Sequence, residues 1–209
     1  SAQGVPPTGT ERALLIAASR VAVIVGLRAA HGSRSVGCRC NRFVLPGGYT
    51  VTMVGTVRRA SLDDVEAVGH VHYAAHVETY SGKFPEGVIE SFPVSSRARM
   101  WTRFLNEDLG ELWVAECEGR VVGFASTGSP REESPSRDLE LGSIYLLASH
   151  HGSGLGQELL DVALSGRRAS LWVLDDNPRA HAFYVRNGFL PDGMDKVDEY
   201  FGGVRETRM

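Results

Sequence analysis

From Met53 onward, apolar and polar residues alternate first with period two and then with period 3.6, so short strands and helices should follow one another. "MVGTVRRA" (53–60) reads as a strand. "SLDDVEAVGHVHYAAHVETY" (61–80) reads as a helix with Ser61 as N-cap and Asp63 and Asp64 in the first turn, where carboxylates meet the positive end of the helix dipole. Ser81-Gly82-Lys83-Phe84-Pro85 breaks it, and a second helix runs from about Ser95 to Leu105. "ELWVAECEGRVVGFASTG" (111–128) gives two strands around Glu118-Gly119, a hairpin signal. After the polar loop "SPREESPSRD" (129–138) comes the strand "LELGSIYLL" (139–147), then a glycine-rich stretch, a helix from Leu155 to Ser165 and the strand "ASLWVL" (169–174). "NPRAHAFYVRNGF" (177–189) is a helix with Asn177 as N-cap, Pro178 at the first position and Gly188 closing it. Two short strands around Gly202-Gly203 end the chain. The pattern predicts an α+β (mixed αβ) domain with a mainly antiparallel sheet of roughly six or seven strands and about four helices.

Composition narrows this little. A chain of 209 residues, 43% hydrophobic and 22% charged, has room for one globular domain with a core, and a net charge of −3 argues against a nucleic-acid partner. Three cysteines make no disulfide framework, Cys38-Arg39-Cys40 lacks a second pair for zinc, and Cys117 reads as a small buried apolar residue. A reducing, cytoplasmic setting fits. The first fifty residues differ from the rest, with Glu11 as their one acidic residue and no clean period beyond the apolar run Val21 to Leu27. That run follows Arg12 and Arg20 and has the look of a secretory signal, but Arg20 interrupts the longer apolar stretch around it and the run is too short to span a bilayer. We read residues 1–52 as an extension outside the domain at 53–209, a candidate for poor order, with Met53 as an alternative start. No membrane partner is expected.

The chemistry concentrates in "SHHGSGLGQELLDVAL" (149–164). Glycines at alternate positions bare the backbone where a helix begins, so amide N–H groups and the positive end of the helix dipole converge: an anion site, with phosphate the expected anion. A nucleoside-triphosphate loop needs Lys and Ser/Thr after the last glycine, and Gln157 and Glu158 stand there. A dinucleotide fingerprint would gain from Asp175 and Asp176 downstream, but the glycine spacing is wrong and too little chain remains for a doubly wound domain.

A third design fits. His151-Gly152-Ser153-Gly154-Leu155-Gly156 resembles the Q/R-x-x-G-x-G/A acetyl-CoA loop of the GNAT superfamily of N-acetyltransferases, with His151 where Gln or Arg is usual. "LWVLDDNPRAHAFYVRNGFLPDG" is similar to the family's last conserved block, in which Asn177 is followed seven residues later by Tyr184. "VRRASLDD" and "TYSGKFP" match small bacterial members, so the resemblance covers about residues 53–209.

The resemblance implies a GNAT-like fold, a sheet splayed at its centre, with acetyl-CoA as acyl donor lying between "GSIYLL" and "ASLWVL" and no metal. Its pantetheine arm would pair with backbone of Ile144, Tyr145 and Leu146, and its diphosphate would sit at His151 and on amides of Gly152, Ser153, Gly154, Leu155, Gly156 and Gln157. Asn177 would cap its helix and bond the pantetheine. Tyr184 would protonate the departing thiolate, a role weighed against that of a core aromatic beside Phe183 and Phe189. Glu140 is the candidate proton acceptor: period two places Glu140, Gly142, Ile144 and Leu146 on one face, and a strand glutamate of the histone-acetyltransferase branch matches the offset. Trp172 stands where ribosomal-type peptide N-terminal acetyltransferases carry a glutamate, which counts against that acceptor class. His70, His72 and His76 share a helix without a convincing third metal ligand; His76, Tyr80, Lys83 and Phe84 are read as acceptor-site residues. Glu132, Glu133 and Asp138 favour a cationic acceptor. The implied activity is acetyl transfer to a primary amine, small-molecule or peptide, by direct attack in a ternary complex. The alternative is a non-catalytic acyl-CoA-binding or regulatory module on the same fold. A homodimer is common among relatives.

Overall fold

The computed structural model describes residues 41–44, 50–53, 55–130, 132 and 135–209; most of the expected extension, the Cys38–Cys40 pair and Glu133 fall outside the described residues. Strands β1 (Asn41–Val44) and β2 (Thr50–Met53) form a two-stranded antiparallel sheet at the end of the segment read as an extension. The single strand expected over 53–60 is therefore two. Met53 ends β2, and β3 (Gly55–Arg59) opens the main sheet.

That sheet runs β3, β4 (Gly110–Cys117), β5 (Arg120–Gly128), β6 (Glu140–Leu146), all antiparallel. Glu118 and Gly119 turn the β4–β5 hairpin with φ of 52° and 71°, the doubly positive pair that matches the twist of the strands it joins. A second sheet has the order β7 (Trp172–Leu174), β9 (Val204–Arg208), β8 (Asp195–Asp198), again antiparallel. The two sheets meet at one parallel bridge between Glu140 and Ser170. There the Leu141 amide donates to the Ser170 carbonyl at 2.8 Å and the Ser170 amide to Leu139 at 2.9 Å. Beyond it β6 and β7 share no ladder, and the sheet opens into a V.

Helices α1 (Val65–Tyr80) and α2 (Val94–Asn106) cover one face, where Val68, Val71, Ala75, Trp101 and Phe104 pack on Val114, Phe124 and Tyr145. Helix α3 (Leu155–Leu164) covers the other: Leu155, Leu159, Leu160 and Ala163 meet Ala115, Ala125, Ile144 and Leu146. Neighbouring residues such as Phe124 and Ala125 thus feed opposite cores, as a pleated strand requires. Helix α4 (Pro178–Arg186) adds Ala180, Phe183 and Tyr184 to the α3-side core. The start of the first helical stretch is tied to β3. Asp64 accepts from the Ser61 backbone amide at 2.8 Å and from Arg58 at 2.6 Å; the arginine, above all, lowers its pKa to about 2. Among the described residues no helix is long and apolar enough to cross a membrane.

Candidate active site

Register decides which backbone groups face the V. The Leu147 amide donates to Val122 at 2.9 Å, which makes 122/147, 124/145 and 126/143 the mutually bonded pairs of β5 and β6. Ile144 and Leu146 therefore turn their amides and carbonyls toward the V. Tyr145, expected with them, instead spends its backbone on Phe124. A second register effect acts on Glu140. Thr127 pairs with Leu141 and Ser126 with Ser143, so Gly142 is an extra residue and the alternation changes phase there. Glu140 therefore shares its face with Ser143 and Tyr145 rather than with Ile144 and Leu146, and it is buried at the closed end of the V beside the Ser170 bridge.

After β6 the chain makes a tight turn at Ala148–His150, held from α1 by Glu78, whose carboxylate accepts from the Ala148 amide at 2.9 Å. Gly152 (φ 79°) and Gly154 (φ 92°) then take left-handed conformations, and Gly154 is the N-cap of α3. The amides of Ser153, Leu155 and Gln157 are already partnered, by His150 carbonyl at 3.3 Å, Ser153 Oγ at 3.2 Å and Gly154 carbonyl at 3.0 Å. Those of Gly152, Gly154 and Gly156 meet no acceptor among the described residues. The alternate glycines are the alternate open donors.

His151 sits half-buried between the walls of the V. Its Nε2 lies 3.0 Å from the Leu146 carbonyl and its Nδ1 2.8 Å from Arg179 Nη2, on α4. Burial, above all, pushes its pKa down to about 4, with the Arg179 charge adding to the effect.

Helix α4 supplies two orphaned polar groups. The Tyr184 side chain is 0% exposed, packs edge-on against Phe183 and Phe189 at centroid distances of 5.5 and 5.6 Å, and leaves its hydroxyl without a partner among the described residues. Burial raises its pKa well above the ordinary phenol value. It belongs to the core cluster that holds Ile144, Leu146 and Val173, where β6 and β7 part. Asn177 accepts from the Ala180 amide at 3.1 Å through Oδ1, as an N-cap should, while its Nδ2 is buried without a partner. A buried donor left unpaired costs about 1–3 kcal/mol, which makes these two atoms the candidates of α4 for pairing with a ligand's acceptors.

The residues read as acceptor contacts scatter. His76, Tyr80 and Phe84 are buried in the α1–α2 core. Tyr80 stacks on Phe84 at 4.6 Å, and Phe84 meets Phe201 at 5.1 Å, which docks the α1–α2 connection on the second sheet. Lys83 stays half-exposed, bonding the Asp176 carbonyl and lying 3.2 Å from its carboxylate, next to Asn177. His70 is exposed, whereas His72 and His76 join Tyr145 in a buried chain with Nε2–Nε2 and Nε2–Oη distances of 3.1 and 2.8 Å. Among the described residues no group of three or more His, Cys, Asp or Glu side chains could hold a metal. A cavity between α1 and the β4–β5 turn, lined by Asp64, His70, Glu116 and Leu147, holds none of the groups along the V. Arg179 escaped the sequence reading because the loop motif says nothing about α4; only its place two residues after the N-cap hinted at it.

Solved structures share this architecture. The PaiA N-acetyltransferase of Thermoplasma acidophilum, crystallised in complex with coenzyme A, superposes with a TM-score of 0.55 at 20% identity, over 75% of this chain and 98% of its own. The yncA protein of Salmonella typhimurium, with its cofactor acetyl-CoA, gives 0.55 at 22% identity, over 76% and 92%. These likenesses define the fold as that of the GNAT acetyltransferases. A model of the Acetyltransferase (GNAT) family matches residues 73–189. The uncharacterized N-acetyltransferase YuaI of Bacillus subtilis (strain 168) is 31% identical over 157 residues, 72% of this chain and 87% of the relative. An uncharacterized N-acetyltransferase of Mycobacterium tuberculosis, Rv2669, is 28% identical over 115 residues, 52% and 71% of the two chains. The chain belongs to the GNAT family and by that membership is an N-acetyltransferase.

Proposed function

We propose that the protein moves an acetyl group from acetyl-CoA to a primary amine, of a small molecule or a peptide, by direct attack in a ternary complex. The observation that carries this reading is the row of open amides at Gly152, Gly154 and Gly156, at the N-terminus of α3 and beside the unladdered edge of β6. Unpaired N–H groups aimed along a helix dipole suit a diphosphate. The open amide and carbonyl of Ile144 and the open amide of Leu146, whose carbonyl is taken by His151, suit the amides of a pantetheine arm, and the spare Nδ2 of Asn177 adds a donor to an arm carbonyl.

Acetyl transfer requires that the amine lose a proton and that the leaving thiolate be stabilised. For the first we assign Glu140, the buried carboxylate at the closed end of the V. For the second we assign Tyr184. Its raised pKa keeps the phenol protonated, so it meets developing charge on sulfur with a hydrogen bond. Catalysis at that step then depends on one hydroxyl.

Replacing Tyr184 by Phe removes the hydroxyl and keeps the packing. Thiol release from acetyl-CoA, screened against an amine library, should fall by about 10²–10⁴ while CoA affinity holds. Unchanged turnover would reassign the acid; no turnover by the unaltered protein with any amine, despite CoA binding, would favour a non-catalytic acyl-CoA-binding module.

A further inference from the structure

We propose that Arg179 and His151 form an anion clamp over the glycine loop, with Arg179 the cation that meets the diphosphate and His151 the residue that aims it. This rests on the reading of the loop as a diphosphate site and names a participant that the loop motif does not contain.

The hydrogen-bond chemistry is forced. A guanidinium only donates and a carbonyl only accepts. His151 therefore accepts from Arg179 on Nδ1 and carries its single proton on Nε2, which donates to Leu146. An imidazolium would set a second N–H against the guanidinium. The neutral ring is thus a bipolar spacer between the end of β6 and the first turn of α4, across the mouth of the V.

Two further features point to an anion at this place. Arg179 is the second residue of α4, in a first turn that contains no acidic residue, where the helix dipole disfavours a cation. It is also exposed, and so within reach of a ligand. Through His151 the guanidinium is tethered beside the loop whose Gly152, Gly154 and Gly156 amides stand open among the described residues, so one diphosphate can meet both. The loop's first position gains meaning as well. A glutamine there can donate its amide N–H to Leu146 and accept from Arg179 on its oxygen, as neutral His151 does. Leucine can do neither.

The test is calorimetry with CoA and with dephospho-CoA, which keeps the diphosphate and lacks the 3′-phosphate, on the unaltered protein and on Arg179→Met, His151→Leu and His151→Gln, with melting temperatures checked for each. Arg179→Met should weaken both ligands alike, by about tenfold or more. His151→Leu should lose a comparable factor, and His151→Gln should recover most of it. Arg179→Met binding as tightly as the unaltered protein overturns the proposal. A loss confined to CoA does the same, since it moves Arg179 to the 3′-phosphate, and His151→Gln as weak as His151→Leu removes the aiming role. Failure of the unaltered protein to bind either ligand would instead sink the diphosphate reading itself.

Discussion

Five buried side chains, Trp101, His72, His76, Tyr145 and Arg97, link α1, α2 and β6, and the first of these fixes the protonation of the second. Trp101 Nε1–H donates to His72 Nδ1 at 3.3 Å, so the one proton of His72 lies on Nε2, toward His76. Burial, above all, and then Arg97 and His76 hold the His72 pKa well below 6.5. The unfolded chain takes up that proton near pH 6.5 and the folded one does not. This contribution to stability is therefore complete above about pH 6.5 and is lost as the pH falls below it, by up to about 1.4 kcal/mol per pH unit. Half-buried His151, lowered to about 4, acts in the same direction over the window from 6.5 to 4. Urea unfolding at pH 7, 6 and 5 should show the decline, and His72→Gln should flatten its slope; identical slopes would show that His72 is not held neutral. Asn177 allows its capping bond to be separated from the contact proposed with the pantetheine arm. Asn177→Asp keeps the acceptor for the Ala180 amide and loses the donor, so CoA affinity should drop with stability nearly intact, whereas Asn177→Ala should also lose about 1 kcal/mol of stability. The Asn177 cap and the place of Tyr184 on the same helix were legible because a spacing within one helix survives folding. The burial of His76, Tyr80 and Phe84 was not, because which face of α1 meets the sheet depends on partners far along the chain.

The periodic segments read well from sequence: α1 to α4, the β4–β5 hairpin and the tail strands stand close to where period and punctuation placed them. Two errors have a common source. Period two counts residues along one strand, and it registers neither the extra residue at Gly142 nor the change of partner after Met53, which only pairing reveals. Glu140 changed face for that reason. The glycine loop was legible because its conformation is a local demand. Gly154 at φ 92° is the position where a side chain is strained, so Gly154→Ala should cost about 1–3 kcal/mol of stability. It should also weaken CoA binding, as the loop rotates its amides out of line. A melting temperature and CoA affinity both unchanged in that variant would contradict the account of the loop.

The larger arrangement is two sheets hinged at one bridge and opened by the absence of any ladder beyond it. The α1–α2 connection closes the far side by docking Phe84 on Phe201 and Lys83 on Asp176, so the two halves are held together around the cleft. What lines the cleft is mostly backbone and orphaned donors, and these are invisible in composition or charge. The account turns on three amides. In a ¹⁵N-labelled sample titrated with acetyl-CoA, the N–H resonances of Gly152, Gly154 and Gly156 should shift together, saturate at the stoichiometry of binding and gain protection from exchange. Binding that leaves those resonances unmoved, or amides already protected in the free protein, would contradict it.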